Sequence, residues 1–315
     1  MMKLMVRRIA GVEGQNFSLE LGAGVAPAPR SSTGGAHLGE ETAARRMAGV
    51  PRNLPLALPT LRPNYQPLEP ISLRWANPIE SWPIYLAPIR EGDGRGPITV
   101  LVHGAGYGSC KDASRIASGL TGAELPGEVH LLHWPTPSVA ISAGAAYLGG
   151  LFSGAARGRA TAAGVETAKA GQAQAEDFAV HLGRVLASLG ATPERPLRLV
   201  GHSLGAHLLT SALGNEHLQK LPIDEVVLLA GCTSAQVDVA QLERQGLKRL
   251  INVYSSQDSS LRTANGYLGS LAGTTPLSLG RPILQTEVLS LGTELPHDGY
   301  WAQLPAILRA LGSGA

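Results

Sequence analysis

The sequence predicts an α/β domain on an open, mostly parallel sheet with helices on both faces, preceded by a poorly structured arm. Two observations carry this expectation. Short runs of Val, Leu and Ile recur from about residue 71 onward, separated by longer segments. Unbroken apolar runs of that length belong to strands covered on both sides. Between two of them, residues 174–189 form an amphipathic helix. Ala175, Phe178, Ala179, Leu182, Val185, Leu186 and Leu189 make one stripe, and Gly190 stops it. Strands that alternate with helices in this way pair in parallel through right-handed crossovers.

In chain order, residues 1–70 hold Gly, Ser and Pro clusters (GVAPAPRSSTGG, PRNLPLALPTLRPNYQPLEP) and no sustained apolar period. They read as an arm, poorly structured or extended, with a short helix near 39–47 as its one candidate element. The domain proper spans 71–315. ISLRWA (71–76) and WPIYLAPI (82–89) open it as strands, and EGDGRG turns the chain. The strand-like runs that follow are ITVLV (98–102), EVHLLHW (128–134), LRLV (197–200), EVVLLAG (225–231), LINVYS (250–255) and TEVLS (286–290). No internal repeat is present.

Composition narrows the function. The net charge is +2 and only 16% of residues are charged, with Lys and Arg scattered. That gives no face for a nucleic acid. Cys110 and Cys232 lie far apart and outside any metal-ligand spacing, so two unpaired thiols in a reducing compartment are expected, with no metal. Residues 1–10 are basic but GVEGQN follows where a leader would be apolar, which points to a cytoplasmic protein.

In a sheet of this kind, ligands bind beyond the carboxyl ends of the strands. After LRLV the chain reads Gly201-His202-Ser203-Leu204-Gly205 and enters the helical run AHLLTSALG. In a chain with 39 glycines, G-x-S-x-G by itself is a common accident. Between a buried-type strand and a helix it is a nucleophile elbow. Small residues two before and two after the serine let strand and helix close up, and the turn pushes the hydroxyl out. Ser203 is therefore the candidate nucleophile. Earlier, ITVLV runs into His103-Gly104-Ala105-Gly106-Tyr107-Gly108. A glycine turn after an early strand can bring a backbone N–H to a developing oxyanion. The candidate donors are the N–H groups of Ala105 and Leu204, with His103 and Gly104 shaping the loop. A phosphate cradle would need a Lys-Ser/Thr pair, and Lys111-Asp112 does not supply one.

The acid and base should follow the serine in that order. His297, in LGTELPHDGYW after TEVLS, is the candidate base; an exposed loop histidine is the plainer alternative. His217 precedes EVVLLAG and sits at the wrong end of the sheet. Asp258, where LINVYS ends, is the candidate acid, with Asp298 and Asp238 as rivals.

The elbow GHSLG, the turn HGAGYG and the order Ser203, Asp258, His297 resemble the α/β-hydrolase superfamily over roughly 71–312. VETAKAGQAQAEDFAVHLGRVLA, LRLVGHSLGAHLL and INVYSSQDSSL are also similar to the transmembrane-and-coiled-coil-domain family of hydrolase-like proteins, although no strongly apolar membrane segment is present. The superfamily resemblance implies serine esterase or lipase-like chemistry without a cofactor, shared with thioesterases, peptidases and acyltransferases. It leaves open a silent scaffold that only binds.

Residues 138–156 (SVAISAGAAYLGGLFSGAA) are uncharged and mildly apolar. They read as a lid, within an insert at 138–170, as a membrane-surface loop, or as a packed connector. The expected partner is a small-molecule acyl substrate, with weak peripheral contact to a membrane if the second reading holds.

Overall fold

The computed structural model describes residues 2–8, 17–21, 85–92, 94, 96–105, 127–134, 154–281, 283 and 285–312. The strands are β1 (Met2–Arg8), β2 (Phe17–Leu21), β3 (Tyr85–Arg90), β4 (Ile98–Val102), β5 (Glu128–His133), β6 (Leu197–His202), β7 (Ile223–Leu229), β8 (Gln236–Val237), β9 (Arg249–Tyr254), β10 (Ser278–Leu279) and β11 (Glu287–Gly292). Among the described residues the helices are α1 (Gly154–Ala187), α2 (Leu204–Ala212), α3 (Glu216–Gln219), α4 (Val239–Gln245), α5 (Ser259–Leu268) and α6 (Tyr300–Gly312), with a 3₁₀ turn at His297–Gly299.

Among the described residues nine strands form one sheet in the order β2-β1-β11-β9-β7-β6-β4-β5-β3. From β11 to β5 every pairing is parallel; β3 joins β5 antiparallel, and β1 and β2 join antiparallel at the other edge. All five residues of β4 are buried, as are five of six in β6. Since alternate residues face opposite ways, both faces of these strands are covered. Phe178, Leu182 and Leu186 of α1 and Leu208 and Leu209 of α2 are fully buried in the same core.

After β4 the chain builds outward to β5, then returns to lay β6 on the opposite side of β4. That reversal opens a crevice at the carboxyl ends of β4 and β6. Ser203 follows β6 and the His103–Ala105 turn follows β4, so both stand at this crevice.

At the amino ends, register is fixed by charge. Arg198, Glu225, Arg249 and Glu287 lie directly opposite one another on β6, β7, β9 and β11. Glu225 Oε1 accepts from Arg198 at 2.6 Å, and its Oε2 lies 2.9 Å from Arg249, which also reaches Glu287 at 3.3 Å. Glu225 is buried whereas both arginines are partly exposed. Replacing Glu225 by Gln leaves two half-buried guanidinium groups facing each other and should cost about 2 kcal/mol. An unchanged urea midpoint would show the ladder to be inert.

Two expectations are corrected. Residues 2–8 and 17–21 of the expected arm are strands, and they extend the sheet beyond β11. FSLEL alternates apolar and polar residues, the pattern of an edge strand, but Gly and Pro clusters nearby mask it. Residues 154–170 of the expected insert belong to α1, one continuous helix of 34 residues that starts 20 residues before the amphipathic stripe. The small residues of GAARGRATAAG are compatible with helix while carrying little apolar period. Of the second expected strand, residues 85–89 fall in β3 and 82–84 lie outside the described residues. The candidate strand 71–76, the helix near 39–47 and the stretch 138–153 lie outside the described residues, as does Cys110. Among the described residues no helix is long and apolar enough to cross a membrane.

Candidate active site

β6 ends at His202, and Ser203 turns the chain with φ 55° and ψ −118° before α2 begins. A positive φ in a residue with a Cβ is strained by about 1–3 kcal/mol and needs its surroundings to hold it. Here the backbone is pinned: the Ser203 N–H donates to Leu229 O at 3.0 Å, and its carbonyl accepts from Ala206 and Cys232 N–H at 3.1 and 3.0 Å. The two glycines of the motif allow the turn. A Cβ at Gly205 would lie 2.2 Å from Val102 O and 2.6 Å from His103 O. One at Gly201 would lie 2.7 Å from Gly205 O.

The turn after β4 comes equally close. A Cβ at Gly104 would stand 2.6 Å from Ser203 Cβ and 3.3 Å from its Oγ. His103 is buried, its Nδ1 is 2.9 Å from Gly104 O, and its own carbonyl accepts from Trp134 Nε1 at 3.0 Å. Its ring stacks on Trp134. This places the backbone of Gly104 against the serine, and Ala105 is the next residue of the turn. Leu204, the other candidate donor, is the first residue of α2.

Asp258 follows β9 and is the N-cap of α5. Its Oδ1 accepts from Leu261 N–H at 3.0 Å, while its Oδ2 lies 2.7 Å from His297 Nδ1. The other ring nitrogen, His297 Nε2, is 3.1 Å from Ser203 Oγ. Ser203, His297 and Asp258 thus form one hydrogen-bonded row supplied by the ends of β6, β11 and β9. A neutral imidazole that donates Nδ1–H to the carboxylate presents Nε2 as acceptor for the serine hydroxyl. The loop carrying His297 is tied back to β9, where Thr293 N–H and Oγ1 donate to Tyr254 O at 2.8 and 3.1 Å.

The rivals stand elsewhere. Asp238 caps α4, accepting from Ala240 and Gln241 N–H, and Asp298 is exposed. His217 lines a cavity of about 350 Å³ with Val180, His181, Arg184, Asn215 and Glu216, which includes no member of the Ser203 row. Cys232 is a free, buried thiol pushed up to about 12 by burial, so it stays protonated.

One residue has no role in the sequence reading. His202 is fully buried and donates Nε2–H to the backbone carbonyl of His297 at 2.8 Å. It occupies a variable position of the G-x-S-x-G pattern, so its residue type carries no pattern signal; the only clue is a polar ring at the end of an apolar strand.

The parallel core with its reversal at β4, the strained serine after β6, and a carboxylate and a histidine after β9 and β11 decide the architecture. The chain has the α/β-hydrolase fold. Among solved structures, it is similar to a type II thioesterase of the yersiniabactin pathway at 12% identity and a TM-score of 0.39, covering 72% of this chain and 96% of that one. It is likewise similar to acyl-protein thioesterase 2 of Zea mays at 13% and 0.40, covering 73% and 97%. A thermophilic esterase of Thermogutta terrifontis matches at 10% and 0.36, covering 79% and 93%. Likenesses this distant assign no substrate and no residue role. No protein-family model matches the chain, and no curated protein does.

The electrostatics of this site follow from burial. Burial opposes the charge of Asp258, but the His297 hydrogen bond and charge and the N–H groups of Leu261 and Ser260 outweigh it and hold the carboxyl below its ordinary 3.8. Its contribution to stability is therefore complete above that value and lost only as pH falls through the lower, folded one. The histidines act at higher pH. Burial, then the neighbouring His297, pushes His202 down to about 3; burial, then His103, pushes His133 down to about 4. Unfolded rings take up protons near 6.5, so the stability these neutral rings provide is full above 6.5 and falls as pH drops toward 4 and 3. At pH 5 each ring should cost the fold about 2 kcal/mol relative to pH 7.5. Equal urea midpoints at the two pH values would contradict this.

Proposed function

We propose that the chain is a serine hydrolase that cleaves a carboxylic ester through an acyl-enzyme. The observation that carries this reading is the row Asp258 Oδ2, His297, Ser203 Oγ, with contacts of 2.7 and 3.1 Å, ending on a serine held at φ 55°. Strain of this sort is kept where it serves a reacting group.

As Ser203 Oγ attacks the carbonyl carbon, its proton passes to His297 Nε2 and the carbonyl oxygen gains the negative charge. Asp258 keeps the imidazole in the tautomer that can accept that proton and stabilises the imidazolium formed. The backbone N–H of Leu204, at the amino end of α2, and that of Ala105 receive the oxyanion. Collapse breaks the ester C–O bond, and His297 gives its proton to the departing alkoxide. Water then repeats the sequence: His297 takes one proton from it, hydroxide adds to the acyl carbon, and Ser203 leaves with that proton. The substrate is a small-molecule acyl compound.

A fluorophosphonate probe tests the reading. The unaltered chain should be labelled, and Ser203→Ala should not. Failure of the unaltered chain to label would leave a binding scaffold without chemistry. If the chain labels, parallel assays on p-nitrophenyl esters, acyl thioesters and aminoacyl amides give the leaving group, and turnover of the thioester or amide alone would replace the ester.

A further inference from the structure

His202 and Ser203 are adjacent in sequence, yet they reach His297 in different ways. The hydroxyl of Ser203 meets the imidazole, whereas the ring of His202 meets the main chain that carries it, at the His297 carbonyl. The two rings also lie against each other, with centroids 4.9 Å apart, and Tyr300 and Trp301 enclose His202 at 6.1 and 5.5 Å. His202 is closed to water. A Leu or Phe would fill such a space at lower cost than a buried polar ring, unless the ring's donor is needed.

The two ends of this hydrogen bond differ in rigidity. The donor stands on β6, paired on both sides by β4 and β7 in the middle of the sheet. The acceptor stands in a short turn beyond β11, separated from β6 by β7 and β9 in strand order. Without the tie, the placement of His297 relative to Ser203 would depend on the loop that starts at Thr293 and on its single carboxylate contact. Fractions of an ångström at that distance control proton transfer.

We propose that His202 is a positioning residue for the base: its Nε2–H holds the His297 main chain and so fixes the imidazole's approach to Ser203. This rests on the serine-hydrolase reading above. Donation to a carbonyl requires Nε2 to carry the proton, and the ring remains a neutral donor through the neutral range. The ionisable groups that face it are His297, Asp258 and His103, and burial dominates all three.

The test compares three variants with the unaltered chain, using fluorophosphonate labelling rates and steady-state kinetics on p-nitrophenyl butyrate. His202→Phe keeps the ring volume and loses the donor. His202→Gln places an amide N–H near the depth of Nε2, while the amide of His202→Asn ends nearer the depth of Nδ1. His202→Phe should slow labelling and kcat by about 10- to 100-fold with KM changed less than about twofold, and His202→Gln should recover most of the loss. Unaltered kcat in His202→Phe, or equal damage in a folded His202→Gln, would overturn the proposal. Should His202→Phe fail to fold by circular dichroism, Gln against Asn decides: Gln faster than Asn supports the tie, and equal rates overturn it. Absence of labelling in the unaltered chain would sink the hydrolase reading itself, and it is told apart by appearing before any substitution.

Discussion

Ser203→Ala should lower kcat on an activated ester by about 10⁴- to 10⁶-fold while KM stays nearly constant, because the hydroxyl bonds to carbon only in the transition state. His297→Ala should cost about as much, and the double variant hardly more than either alone. The three side chains form a single row in which Asp258 meets the imidazole but not the hydroxyl, and the imidazole meets the hydroxyl. Removing any link stops the same proton transfer, so the losses do not add. Additive losses would mean that Ser203 and His297 act separately. Stability should move the other way. Ser203 holds φ 55°, a region where only glycine is at ease. Ser203→Gly should therefore raise the urea-derived stability by about 1 kcal/mol in the same protein that has lost its turnover. A less stable Ser203→Gly would show that the turn carries no strain.

The second large effect concerns folding. Gly205→Val should abolish soluble expression or leave a chain without cooperative unfolding, and Gly205→Ala should cost about 3 kcal/mol or more. The atoms that a new Cβ would strike, Val102 O and His103 O, belong to the end of β4 and the turn after it. They cannot yield like the tip of a side chain. To make room, α2 would have to lift off β4, which would also withdraw Leu204 from the crevice. Gly266→Ala is the control. It lies inside α5 with nothing within 4 Å of the added carbon, and it should stabilise by up to about 1 kcal/mol. A Tm for Gly205→Ala equal to that of the unaltered chain would refute the close approach.

The parallel core is legible in the sequence because strands covered on both faces cannot alternate. ITVLV, EVVLLAG and LINVYS read as strands for that reason, and each lies within one or two residues of β4, β7 and β9. The edges follow a different rule. FSLEL alternates as a half-covered strand does, but it is five residues long and lies among glycines and prolines. The front half of α1 was hidden by its small residues, which form helix without forming a face. In the site, the order of serine, carboxylate and histidine could be read because each stands at the carboxyl end of a recognisable strand. The choice among Asp258, Asp298 and Asp238 needed geometry: one caps α5 and meets the imidazole, one faces solvent, and one caps α4. His202 was out of reach because its partner is a main-chain carbonyl 95 residues later, an acceptor that any residue type provides.

Asp258 uses its two oxygens for two clients, the imidazole and the first turn of α5. Relocating the carboxylate to the end of a different strand, as a redesign of this scaffold would attempt, therefore takes more than one exchange. The vacated position must still receive Asn, Ser or Thr to start the helix, worth about 1 kcal/mol. A glutamate there would gain reach toward the ring but lose the short tether that lets one group serve both, so the side-chain length at this position is set by the helix as much as by the chemistry.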